Sequence, residues 1–166
     1  MKKSKELVII VVLLITISSI ILTRELNNLD EIWNFNFGIN ISNGNLPYKD
    51  FNMVQTPLSA FILGMALKIF GNELLVMRLL GVTLCTAILY VIYKILNKLK
   101  VNKSVIYLSL LLIFVLDLSF FTYDYNYILL LITLITIYFE LDGSILKSNI
   151  KKDIILRNFC RDKYYS

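Results

Sequence analysis

The chain has 166 residues, 57% of them hydrophobic and 17% charged, with a net charge of +5 and no histidine. Soluble domains are about 45–50% apolar, so this composition excludes an ordinary soluble domain and puts the fold under bilayer rules, in which helices satisfy their own backbone groups. The cations lie between apolar runs, where they act as topology signals and contacts to anionic lipid rather than as a nucleic-acid surface. Without histidine, acid–base or metal chemistry must rest on carboxylates.

Residues 7–23 form the first apolar run, preceded by Lys2, Lys3 and Lys5. A cleaved signal peptide needs a small-residue site, and Thr23-Arg24-Glu25-Leu26 is a poor one. The run is therefore expected to be an uncleaved first span with its N-terminus inside. A polar loop over 24–57 follows.

Residues 57–70 are the second apolar run, with Thr56 as a candidate cap, Pro57 suited to the first helical turn and Gly71 placed to end it. At about 1.5 Å per residue this helix rises about 21 Å, short of the roughly 30 Å hydrocarbon core. It is expected to lie in the outer interface rather than to span. Residues 74–93, 104–121 and 125–141 are three further predicted spans.

Lys94, Lys98, Lys100 and Lys103 lie between the first two of these three. With 57–70 on the surface, these lysines fall on the same side as Lys2–Lys5 and the basic tail, which carries Lys147, Lys151, Lys152, Arg157, Arg161 and Lys163. Every basic cluster is then cytoplasmic, in line with the positive-inside tendency. The predicted fold is an all-α polytopic protein of the cell membrane, with about four transmembrane helices plus interfacial helices in the first outer loop and both termini cytoplasmic. It divides into a membrane region, 1–141, and a basic cytoplasmic tail, 142–166. The two cysteines, Cys85 in an apolar run and Cys160 in the tail, imply no disulfide framework.

In this topology carboxylates collect at the outer face. Asp30 and Glu31 open the first loop, where acids also suit a helix N-terminus. Asp117 lies near the outer end of the third span, and Asp124 sits in the turn from Thr122 to Asn126, where it can cap the next helix. Carboxylates at membrane depth are costly and usually paired or functional. Arg78, five residues into the second span, is open to two readings: an anion contact such as a lipid phosphate, or a salt bridge to an outer carboxylate. Trp33, Tyr48, Phe51, Phe120, Phe121, Tyr123, Tyr125 and Tyr127 read mostly as an interfacial aromatic belt; some of them could stack on a sugar ring or a prenyl chain.

These features in order resemble the N-terminal part of the GT-C superfamily of membrane glycosyltransferases, most closely the protein O-mannosyltransferase and lipid A aminoarabinose transferase group. The likeness rests on Asp30-Glu31 opening the first outer loop, on Gly44-Asn45-Leu46-Pro47-Tyr48-Lys49-Asp50, on Pro57-Leu58 with Phe70-Gly71 bounding an interfacial helix, on Arg78 seven residues after Gly71, and on Asp124 in the outer turn. It covers roughly residues 7–141.

The resemblance implies transfer of a sugar from a polyprenyl-phosphate-linked donor to an acceptor at the outer membrane face. Asp30 is then the catalytic carboxylate, assisted by Glu31. Arg78, Asp124 and Tyr48 bind substrate, with Glu31 and Asp124 orienting the acceptor or holding a divalent cation. Enzymes of this kind have more spans and a further domain, so a C-terminal half or a partner subunit is expected to complete the site. The alternative is a non-catalytic four-span protein that binds or moves a lipid-linked sugar, or an assembly subunit.

Overall fold

The computed structural model describes residues 2–23, 25, 29–116, 123–141 and 143. They form α1 (Lys2–Thr23), α2 (Leu29–Ser42), α3 (Leu58–Phe70), α4 (Leu74–Lys98), α5 (Lys103–Leu116) and α6 (Tyr125–Leu141), with no strand among the described residues. The all-helical expectation holds. Among the described residues one helix, α4, is long and apolar enough to cross a membrane; α3, the 103–113 stretch of α5 and α6 are shorter apolar helices. Asp117, Phe120, Phe121, Thr122, Arg24, Cys160 and the tail lysines and arginines lie outside the described residues.

The helix boundaries have local causes. α3 ends where Gly71 takes φ 102° and its N–H donates to the Leu67 carbonyl, a left-handed conformation that costs a side-chain-bearing residue but not glycine. Its beginning differs from the sequence expectation, because Thr56 does not cap it. Pro57 is already helical in conformation, no side chain caps the turn, and the first helical bond runs from Phe61 N–H to the Pro57 carbonyl. α6 begins as expected, with Asp124 Oδ1 accepting from the Asn126 N–H at 2.7 Å, a side-chain cap of the first turn.

α4 is the axis of the bundle. On one side Val82, Cys85 and Leu89 pack with Ile17 and Ile21 of α1 and Ile106 and Leu110 of α5. Cys85 is thus core filling. On the other side Met77, Leu84 and Ile88 pack with Leu63 and Leu67 of α3, Phe35 and Ile39 of α2, and Ile128, Leu131 and Leu134 of α6.

α2 and α3 meet through glycines. A Cβ on Gly38 would fall 2.6 Å from the Leu63 side chain, and one on Gly64 would fall 2.5 Å from Ile41. Only a missing side chain allows this approach. The contacts advance together, Gly38 to Leu63, Ile41 to Gly64, then Ser42 to Asn72, so the two helices run side by side in the same sense.

Direction follows from end contacts. Arg78, in the second turn of α4, donates to the Leu22 carbonyl at the end of α1, so these two helices are antiparallel. Lys98, at the end of α4, donates from Nζ to the Tyr138 carbonyl near the end of α6, 2.9 Å away, and lies 3.6 Å from the Tyr138 ring centroid. One end of the bundle therefore holds the C-terminus of α1 and the N-termini of α4 and α6. The opposite end holds Lys98, Lys100 and Lys103.

Candidate functional site: the carboxylate end of the bundle

α2 carries polar residues on a buried stripe. Glu31, Asn34 and Gly38 are buried, at the i, i+3, i+7 spacing of one helix face. Glu31 and Asn34 are two of few buried polar side chains in an otherwise apolar core, and each is held by a partner from far along the chain.

Glu31 pairs with Arg78, with Nε 3.0 Å from Oε1 and the two side chains 2% and 10% exposed. Burying two charges costs several kcal/mol per ion unless they are matched in geometry. Two of the guanidinium's groups are used, Nε on Glu31 and Nη1 on the Leu22 carbonyl at 3.3 Å. Its Nη2 is buried with no hydrogen-bond partner among the described residues. Of the two sequence readings of Arg78, the structure shows the salt bridge to a carboxylate of the first loop.

Asn34 reaches the connector ahead of α6. Its Nδ2 donates to Asp124 Oδ2 at 3.2 Å. Asp124, 7% exposed, thus has one oxygen on α2 and the other on its own helix start. Beside it, Tyr123 is buried rather than part of an exposed aromatic belt, and its hydroxyl donates to the Ser59 carbonyl in the first turn of α3 at 2.8 Å. Burial pushes the Tyr123 hydroxyl above the usual tyrosine range. The Oγ of Ser59 has no partner among the described residues.

The structure thus brings Glu31, Arg78 and Asp124 to one end of the bundle, linked along α2 by Asn34. Asp30 is exposed in the first turn of α2, next to Glu31 in sequence but about 100° around the helix. Tyr48 lies apart, in the loop between α2 and α3. It adopts φ 67°, its ring is exposed, and its hydroxyl donates to the Gln55 carbonyl at 2.7 Å. That loop is otherwise held by Asp50 Oδ2 accepting from the Leu46 N–H and by Phe51 stacking on Phe37. Trp33 is half exposed on α2.

Among the described residues no three cysteine, aspartate or glutamate side chains gather as a metal-holding group, so Asp30, Glu31 and Asp124 do not form one. A groove of about 230 Å³ between α3 and α4, lined by Ala66, Phe70, Val76, Leu79, Leu80 and Thr83, is apolar.

Asn34, Ser59 and the inward turn of Tyr123 were not singled out by the sequence. The available signal was the helical spacing of Glu31 and Asn34, two polar residues three apart on one face of a mostly apolar helix. No family model matches the chain, and no curated protein or solved structure matches it either.

Proposed function

We propose that this chain is a GT-C-type membrane glycosyltransferase, or a part of one, that transfers a sugar from a polyprenyl-phosphate-linked donor to an acceptor at the outer membrane face. In this reading α1, α4, α5 and α6 are four spans, α3 lies in the outer interface, and both termini are cytoplasmic. The observation that carries it is the convergence of Glu31, Arg78 and Asp124, from three separate segments, at the end of the bundle opposite Lys98, Lys100 and Lys103. Polar groups drawn together at one end, with cations at the other, suit an outer-face site under the positive-inside tendency.

The roles follow from chemistry. Asp30, exposed beside the buried pair, takes the proton of the acceptor hydroxyl as that oxygen attacks the anomeric carbon. The bond from that carbon to the phosphate oxygen breaks, and the lipid phosphate leaves with its electron pair. A carboxylate suffices as base because the phosphate is already a good leaving group. Arg78 Nη2 is a buried donor that a phosphate oxygen would satisfy. Asp124 orients the acceptor. Membranes containing the chain, given a radiolabelled polyprenyl-phosphate sugar, test the reading: label appearing in a protein, lipid or polymer acceptor supports it. Membranes that neither bind nor consume any such donor would overturn it.

A second reading, a four-span protein that binds a lipid-linked sugar or serves as an assembly subunit without catalysis, is favoured by the closed state of the polar groups. Glu31 is neutralised by Arg78, and both Asp124 oxygens already accept hydrogen bonds. Saturable donor binding without product in the same membranes would select it.

A further inference from the structure

The segment ahead of α6 is attached to the rest of the molecule by two consecutive residues that reach two different helices. Tyr123 is bonded to the Ser59 carbonyl of α3, and Asp124 to Asn34 of α2. All four residues are buried. A carboxylate can accept about four hydrogen bonds, and Asp124 uses two described ones, so one nearly buried group is both held and left with acceptor capacity. Asn34 is the partner that decides where it is held, because the other bond, to the Asn126 N–H, lies within Asp124's own helix start.

We infer that Asn34 is a positioning residue that docks the Tyr123-Asp124 connector onto α2 and so fixes the Asp124 carboxylate on the stripe that also carries Glu31. An amide suits the position. Asn Nδ2 donates to a carboxylate without adding a charge, whereas a lysine there would compete with Arg78 and an aspartate would oppose Asp124. Residues three apart on a helix have Cβ atoms about 5–6 Å apart, so Asn34 couples the connector to the Glu31–Arg78 pair at close range. The titratable and charged groups at this end include Tyr123, Tyr125 and Tyr127 on its own segment, Asp30 and Glu31 in the first turn of α2, and Glu73 and Arg78 at the start of α4. Reading Asp124 as acceptor-orienting rests on the proposed function; the docking itself does not.

Three variants in the intact chain test this: Asn34→Asp, Asp124→Asn and the double exchange. Thermal melting in detergent is measured at about pH 4, near the ordinary carboxylate value, and at about pH 8, because two carboxylates sharing a site resist ionising together. Asn34→Asp is expected to melt several degrees lower, with the larger loss at the higher pH, because two ionised carboxylates then face each other. Asp124→Asn is expected to lose less, since two amides still pair and asparagine also caps a helix. The double exchange restores an amide–carboxylate pair with its direction reversed, so it is expected to recover most of the melting temperature and to lose the pH difference.

Additive losses in the double variant, or an Asn34→Asp loss that does not change with pH, would overturn the docking. Where transfer is measurable, the exchange variant is expected to keep its fold but show a raised acceptor KM, because its carboxylate now sits on α2. Full recovery of both melting and KM would reduce Asn34 to a structural contact. Absence of transfer by the unaltered chain would count against the proposed function alone, with the melting results still deciding the docking.

Discussion

Arg78 binds Glu31 through Nε at 3.0 Å and the Leu22 carbonyl through Nη1 at 3.3 Å, so one guanidinium ties together the end of α1, the start of α2 and the second turn of α4. The carbonyls at the end of α1 carry the negative end of that helix's dipole, and a cation is favoured there. Glu31, in the first turn of α2, is favoured by the opposite end of another. The pair therefore closes two helix termini as well as neutralising two buried charges.

Removing one partner should cost much more than removing both. Arg78→Met leaves Glu31 buried without its cation and is expected to cost about 3–5 kcal/mol, the usual result of breaking a buried pair from one side. The double replacement Glu31→Leu with Arg78→Met is expected to recover most of that, since matched apolar groups can replace such pairs at little cost. Melting curves of the two singles and the double, read as a double-mutant cycle, check this. A loss in the double variant equal to the sum of the two single losses would show that the pair is not coupled.

The glycine contacts between α2 and α3 make an ordered prediction. Gly38→Ala pushes into the Cγ and Cδ2 of Leu63, the outer part of a flexible side chain. Gly64→Ala meets Ile41 at Cβ and Cγ2, with the Gly38 carbonyl 3.2 Å away. Ile41 is β-branched and cannot swing aside in a helix. Both changes are expected to destabilise by about 1–3 kcal/mol, as overpacking does, with Gly64→Ala the worse. Pairing Gly38→Ala with Leu63→Ala should relieve the clash at the expense of a cavity, and chemical denaturation of the single and paired variants checks the order.

Tyr123 should give the chain an alkaline weakness. Burial raises the folded-state value of this hydroxyl, so the neutral form is favoured in the fold. The stability this contributes is fully present below the ordinary tyrosine value of about 10 and is lost as pH rises above it. Tyr123→Phe removes that loss and gives up one hydrogen bond, worth about 0.5–1.5 kcal/mol near neutral pH. Melting temperature against pH should fall less steeply above about pH 10 for Tyr123→Phe than for the unaltered chain; parallel curves would contradict it.

What could be read from sequence was local. Gly71 as a helix stop, residues 125–141 as one helix, Cys85 as core and Asp124 as a helix cap all depend on neighbours within a turn or two, where spacing carries the information. The partners of Arg78 and Asp124 lie 47 and 90 positions away. Sequence offered an outer carboxylate for Arg78 without naming Glu31, and the three-residue spacing of Glu31 and Asn34 gave a face but no partner for Asn34, one of three asparagines on α2. Tyr123 went astray because a tyrosine near a helix end resembles a belt residue until a backbone acceptor, here Ser59, is known to lie beneath it. Thr56 went astray through its own neighbour, because Pro57 supplies the first helical carbonyl and moves the cap by one residue.

The direction of the helices sets up a labelling experiment on topology. Position 100 follows the end of α4, and position 50 lies in the loop between α2 and α3, near the opposite end. With Cys85 and Cys160 removed, Asp50→Cys is expected to react with an impermeant maleimide in intact cells, and Lys100→Cys only after permeabilisation. Labelling of position 100 from outside would overturn the four-span topology with α3 in the interface.

Asp30→Asn separates catalysis from structure. The substitution keeps the shape of the side chain and removes its charge and proton affinity. If Asp30 is the base for the acceptor hydroxyl, transfer should fall by about 10²–10⁴-fold, the usual span for a general base. If Asp30 only favours the start of α2, the charge–dipole loss is about 0.3–1 kcal/mol of stability at a surface site, with transfer essentially unchanged. Asp30 is exposed in the first turn of α2, so the fold is expected to survive the change. Glu31→Gln is the control from the other side. It strands Arg78 and should lower melting temperature and transfer together, whereas Asp30→Asn should lower transfer with melting almost untouched. Transfer by Asp30→Asn at the rate of the unaltered chain would remove Asp30 from the chemistry and leave the binding or assembly reading as the better account of this polar end.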